Sequence, residues 1–274
     1  MGNAAKKRIG HLRQKAGDGI PRGGRLFRGG RVLTGFRDLD GVLCGMRCQE
    51  LLVLAAKPSM GKTALALTIA ENVARGMPGQ ASLLAGIFSL QMGAKNLAIR
   101  LVRQKDPAKL MEEFAVLQKL PIYVDDSSFE VEDLRETARK MRERHGVGLL
   151  VVDYFELVRF GMHAREGLQR ERGEIARALK EMAEELDVPV LVLSQLQKNI
   201  RDLRSGIPEI PELPHSAPIE PEADVVMLLR RASWNKSEHL AILNVAKNRN
   251  GEVGEVKLHF DSDSRRFGNW GEME

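Results

Sequence analysis

Cysteine is almost missing from this chain: Cys44 and Cys48 are the only two in 274 residues, four positions apart and with no second pair. A zinc site needs more ligands than that, so both are expected to be reduced, structural thiols of a reducing compartment. Long hydrophobic runs are missing as well. No stretch reaches about eighteen apolar residues, so no membrane span is expected. The amino terminus is basic but has no apolar core behind it, which speaks against a secretory signal and for a cytoplasmic protein. Acids are nearly lacking from residues 1–31, where Lys6, Lys7, Arg8, Arg13, Lys15, Arg22, Arg25, Arg28 and Arg31 face the single Asp18. Glycines punctuate the same stretch and its few apolar residues keep no period. Such a segment buries too little surface to offset its ordering entropy, so residues 1–31 are expected to be a flexible basic tail. Composition leaves open whether the tail binds nucleic-acid phosphates, docks on a neighbour or is a solvated linker. The net charge of +5 permits a nucleic-acid partner without requiring one.

What is present from residue 32 onward is alternation. Leu51 to Ala55 and Leu83 to Ser89 are short apolar runs of strand type, and each is followed by a helical pattern. Ile122 to Val124, Leu149 to Asp153 and Val188 to Leu193 repeat the strand signal. Between them, Leu134, Ala138 and Met141, and then Ile175, Leu179, Met182 and Leu186, keep helical spacing. His145-Gly146 supplies a cation and a glycine where the first of these helices should stop. The pattern predicts an α/β fold, a mostly parallel sheet with helices on both faces. Three late strands without long helices, near 225–229, 240–247 and 253–260, predict an antiparallel extension at one edge. Residues 32–274 are read as one domain of this kind.

The strongest motif lies in the first strand–helix unit. Ala56-Lys57-Pro58-Ser59-Met60-Gly61-Lys62-Thr63 fits the phosphate-loop pattern G-x-x-x-x-G-K-[ST] except at its first position. Backbone N–H groups over Ser59, Met60, Gly61, Lys62 and Thr63 are expected to cradle phosphate oxygens at the start of the following helix. Lys62 pairs with the β- and γ-phosphates in this reading, and Thr63 offers its hydroxyl to Mg²⁺. Ligands of such sheets bind at the carboxyl ends of the strands. Gln91, Asp153 and Gln195 fall at such ends. Asp153, after four apolar residues, is read as the acid that holds Mg²⁺ through a water. Gln195 senses the γ-phosphate or is a plain surface amide; spacing does not choose.

These residues, with the ordered runs Thr34-Gly35-Phe36-Arg37-Asp38-Leu39-Asp40, Ile87-Phe88-Ser89-Leu90-Gln91-Met92, Leu120-Pro121-Ile122-Tyr123-Val124-Asp125-Asp126, Val151-Val152-Asp153-Tyr154, Leu193-Ser194-Gln195-Leu196, Ile219-Glu220-Pro221-Glu222-Ala223-Asp224 and Lys247-Asn248-Arg249-Asn250-Gly251, resemble the carboxy-terminal ATPase domain of DnaB-type replicative helicases. The likeness runs from Thr34 to about Asn269, and alanine at the first loop position is normal in that family. It implies a RecA-like P-loop NTPase that forms a homo-oligomeric, hexameric ring, binds ATP and Mg²⁺, and moves 5′ to 3′ on single-stranded DNA. It also implies that Lys247 and Arg249 reach from one subunit to the γ-phosphate held by the next, Arg249 as an arginine finger. Implied partners are primase, a helicase loader or another DnaB-type helicase.

Three departures accompany the likeness. The family has glutamate where Gln91 stands, and an amide orients water but cannot accept its proton. Hydrolysis is then expected to slow by roughly two to four orders of magnitude unless another acid, Glu156 for instance, takes over. The family's DNA-facing loop carries an arginine, but here the run is Glu212-Leu213-Pro214-His215-Ser216-Ala217. Phosphate contacts are expected instead from Lys198, Arg201 and Arg204, and from Arg165, Arg170 and Arg172. Such contacts are sequence-independent and salt-sensitive, with little stacking because few aromatics accompany them. Finally, the basic tail stands where the family has a helical domain and linker. The alternative reading is a hydrolysis-impaired relative that binds ATP and serves as loader, ring subunit or inhibitor; a RecA-like recombinase fits less well.

Overall fold

The computed structural model describes residues 30–102, 107–161, 167–196, 218–231 and 239–272. The basic tail therefore lies almost wholly outside the described residues, as do Arg165, Lys198, Arg201, Arg204 and the 212–217 run. In chain order the elements are β1 (Arg31–Val32), α1 (Arg37–Leu43), β2 (Met46–Arg47), β3 (Leu51–Ala56), α2 (Lys62–Arg75), β4 (Leu84–Ser89), α3 (Ala94–Leu101), α4 (Pro107–Leu117), β5 (Ile122–Asp125), α5 (Val131–His145), β6 (Val147–Asp153), α6 (Leu168–Leu186), β7 (Val190–Gln195), α7 (Ile219–Glu222), β8 (Val225–Arg231), β9 (Leu240–Asn248), β10 (Gly254–Asp261) and β11 (Arg266–Asn269).

Nine strands form one sheet in the order β11-β10-β9-β8-β3-β7-β6-β4-β5. From β8 to β5 every neighbouring pair is parallel. β9, β10 and β11 then add an antiparallel edge. The difference is written in the burial of the strands. Every residue of β3, β4 and β6 is buried, as continuous apolar strands covered on both faces must be. β9 instead alternates, burying Ala241, Leu243 and Val245 and leaving the residues between them partly exposed.

Alternate residues of the parallel strands feed two cores. Leu52, Leu54, Ile87 and Val151 pack under α1, α2 and α3, and Leu51, Val53, Phe88 and Val152 pack under α5 and α6. The expected helical stripes are the buried ones: Val131, Leu134, Ala138 and Met141 on α5, and Ile175, Leu179, Met182 and Leu186 on α6. Gly146 ends α5 in the left-handed region (φ 63°), its N–H donating to the Arg142 carbonyl at 3.0 Å. One sequence expectation is corrected in detail. The first of the three late strands, β8, pairs parallel with β3 inside the sheet, so the antiparallel extension begins at β9. The short β1–β2 ribbon, α1 and α4 have no counterpart among the expected elements.

A buried acid fixes the start of the central strand. Asp224, just ahead of β8, accepts the Leu51 N–H at 2.8 Å, the Lys180 ammonium at 2.8 Å and an Arg249 N–H at 3.2 Å. It thereby joins β3, α6 and the end of β9.

Candidate nucleotide site

Between β3 and α2 the chain turns tightly at the carboxyl edge of the sheet. Ser59 (φ 68°) and Gly61 (φ 97°) both lie in the left-handed region. At Gly61 a Cβ would also stand 3.1 Å from the Phe267 ring, so only glycine fits there without a shift. Gly61 is the N-cap of the fourteen-residue α2, and no side chain among the described residues caps it. The first-turn N–H groups and the helix dipole are thus directed at whatever occupies the loop.

Lys62 is partly buried, its ammonium 5.2 Å from the centre of the Tyr154 ring. Burial pushes its pKa below the usual lysine range, and the charges of Glu156 and then Asp153 work against that shift. The Thr63 hydroxyl donates to Asp153 Oδ2 at 2.9 Å. Asp153 is 2% exposed, and burial raises its pKa against the opposing Thr63 hydrogen bond and the Lys62 charge. Its Oδ1 is buried with no hydrogen-bond partner among the described residues. A carboxylate oxygen left in that state beside a threonine hydroxyl fits a hard divalent cation, which would take its other ligands from phosphate and water.

Gln91 and Gln195 complete this edge. Gln91 follows the end of β4, where its N–H donates to the Asp153 carbonyl at 3.3 Å. Gln195 ends β7 in register with Ala56, the first loop residue. Both side chains line a cleft of about 840 Å³ that runs over the loop, a size in the range of small-molecule and nucleotide sites. The structure therefore brings Ser59, Met60, Gly61, Lys62, Thr63, Gln91, Asp153 and Gln195 to the ends of β3, β4, β6 and β7. One wall escaped the sequence reading. Arg231, the last residue of β8, bonds the Ser59 carbonyl at 2.8 Å and lies 4.3 Å over the Phe260 ring. The only signal was an arginine closing an apolar strand.

Lys247 and Arg249 lie elsewhere, tied within their own chain. Lys247 donates to the Glu220 carbonyl at 2.6 Å, and Arg249 holds Asp224 and the Pro221 carbonyl. Of the expected DNA contacts that are described, Arg170 is exposed on the first turn of α6. Arg172 is half-buried and gives its N–H groups to the carbonyls of Phe155, Glu156 and Val158.

Comparison with known proteins decides which family this arrangement belongs to. The family model described as "DnaB-like helicase C terminal domain" matches residues 31–269. The chain is a member of that family. It is 34% identical over 255 residues to the replicative DNA helicase DnaB of Geobacillus stearothermophilus, covering 85% of this chain and 55% of the relative. This member thus spans about half the length of that protein. Among solved structures it resembles a chain described as an ATPase domain, with TM-score 0.78 and 26% identity over 98% of this chain and 99% of that one. It also resembles a DnaB-like replicative helicase solved for its interactions with primase, with TM-score 0.77, 26% identity and coverage of 98% and 68%. The family's RecA-like ATPase fold is the fold described above. No helix among the described residues is long and apolar enough to cross a membrane.

Proposed function

We propose that this chain is the motor domain of a DnaB-type DNA helicase, coupling ATP hydrolysis to 5′ to 3′ movement on single-stranded DNA. The observation that carries the reading is the convergence of Lys62, the Thr63–Asp153 hydrogen bond and Gln195 on one cleft in a family ATPase fold. In this reading the loop N–H groups and Lys62 hold the β- and γ-phosphates, and Gln195 faces the γ-phosphate. Thr63 and Asp153 would hold Mg²⁺, which supplies neutralisation of phosphate charge. Attack by water is in line, oriented by Gln91. Lys247 and Arg249 act on the nucleotide of an adjoining copy, so the working form is a ring, a hexamer by analogy with the family. Primase is a proposed partner because the similar helicase structure was solved for its interactions with primase. A helicase loader or a second DnaB-type helicase is proposed on family grounds alone.

The neutral side chain at Gln91 favours one second reading, a relative that binds ATP, turns it over slowly and serves as loader, ring subunit or inhibitor. DNA binding tests the motor reading. Affinity for oligothymidylate is expected to fall linearly with the logarithm of salt concentration. It should rise with a non-hydrolysable ATP analogue, and that rise should vanish in Lys62→Ala. Absence of DNA binding in every nucleotide state contradicts the motor reading.

A further inference from the structure

β6 and β7 pair only over Leu150 to Val152 and Val190 to Val192. Beyond that point β7 runs on through Ser194 to Gln195 with β3 on one side and, among the described residues, no strand on the other. A bare strand edge at the mouth of the cleft would leave backbone and hydroxyl donors without acceptors. Glu156 fills that place. Its Oε1 accepts the Ser194 hydroxyl at 2.7 Å and the Gln195 N–H at 3.0 Å, acting as one more rung of the ladder. On the opposite side Gln195 is in register with Ala56, and the next N–H, of Leu196, reaches the Ala56 carbonyl at 3.0 Å.

The turn that carries Glu156 is itself clamped. Residues Phe155–Leu157 form a single 3₁₀ turn directly after β6. Arg172 on α6 donates to the carbonyls of Phe155 (3.0 Å), Glu156 (2.7 Å) and Val158 (3.2 Å), and its guanidinium lies 5.5 Å from the Phe155 ring centre. Ser194 is fully buried. Oε1 of the carboxylate is thus turned to the end of β7, and the residues lining the cleft include Gln91 and Gln195 but not Glu156.

We propose that Glu156 is a positioning residue for Gln195, holding the end of β7 so that the Gln195 amide meets the γ-phosphate, and that Arg172 holds Glu156 in turn. This rests on the reading of Gln195 as the group that faces the γ-phosphate. It also makes Glu156 something other than a proton acceptor: the acid serves as a hydrogen-bond acceptor, a task an amide oxygen can perform.

The test compares the full chain with Glu156→Gln and Glu156→Ala on two scales, ATP turnover and amide hydrogen exchange at Ser194 and Gln195. Glu156→Ala is expected to lower kcat by about tenfold or more, since small misplacements at a reacting centre are costly. KM for ATP should stay within about threefold, because the ground-state phosphate contacts remain. Exchange at Gln195 should rise. Glu156→Gln should keep both readings near those of the parent chain. Equal loss in Glu156→Gln and Glu156→Ala overturns the proposal, because charge would then be what matters; so does unchanged exchange in Glu156→Ala. Should Glu156→Ala not fold, Arg172→Lys is read on the same scales, with both shifts expected in the same directions. A parent chain without turnover counts against the motor reading alone, and amide exchange then decides the placement of Glu156 by itself.

Discussion

Replacing Arg249 with alanine is expected to lower ATP turnover by about 10³- to 10⁵-fold, the range for loss of an arginine finger, while leaving the chain's affinity for ATP unchanged. Arg249 lies on its own chain's α7 and Asp224, away from the cleft that its own Lys62 serves. Its side chain is 45% exposed, and its departure does not strand the buried partner. Asp224 keeps the Lys180 ammonium and the Leu51 N–H, both at 2.8 Å. An arginine held at a surface by one shared carboxylate and one carbonyl can be exchanged to a phosphate of an adjoining subunit. A mixture of Lys62→Ala and Arg249→Ala chains should then recover part of the turnover that each lacks alone. If the mixture stays inactive, the arginine does not act across subunits. If Arg249→Ala lowers the unfolding temperature and leaves turnover intact, its role is only to brace Asp224.

The second large effect runs upward. Gln91→Glu is expected to raise turnover by roughly 10²- to 10⁴-fold, the span attributed to a placed general base. Gln91 is exposed, lines the cleft and sits beside the loop that holds Lys62. Its amide can hold a water by accepting or donating a hydrogen bond, but it has no basic site for the proton released on attack. A carboxylate here would gain that site. Its cost is proximity to Asp153, whose backbone carbonyl already accepts the Gln91 N–H. Steady-state turnover of the two chains under saturating Mg·ATP measures the difference. Equal rates would mean that water is deprotonated without help from this position.

The parts of the site that were legible in the sequence are those made by local pattern. The loop at 56–63 needs a buried strand before it and a helix after it, and both signals lie within a few residues. Asp153 and Gln195 end apolar runs, and the ends of parallel strands are where ligands gather. The helix stop at Gly146 was equally local. What stayed hidden depends on partners far along the chain. The direction of β8 follows from its neighbour being β3, and β3 is more than 150 residues earlier. Arg172 read as a free cation for DNA because nothing nearby in sequence announces the three carbonyls it binds. Glu156 read as a spare acid for the same reason, since the strand edge it completes belongs to β7. Arg231 and Phe260 form a wall of the cleft only because β8 and β10 reach the edge of the sheet where the loop lies.

Central to the motor reading is that ATP is split at the 56–63 loop in a DNA-dependent way. ATP turnover of the full chain, with and without single-stranded DNA and beside Lys62→Ala, is the most direct measurement. A rate that DNA stimulates and that Lys62→Ala abolishes is the predicted result. Tight ATP binding by the parent chain, with turnover no higher than that of Lys62→Ala whether or not DNA is present, would contradict it.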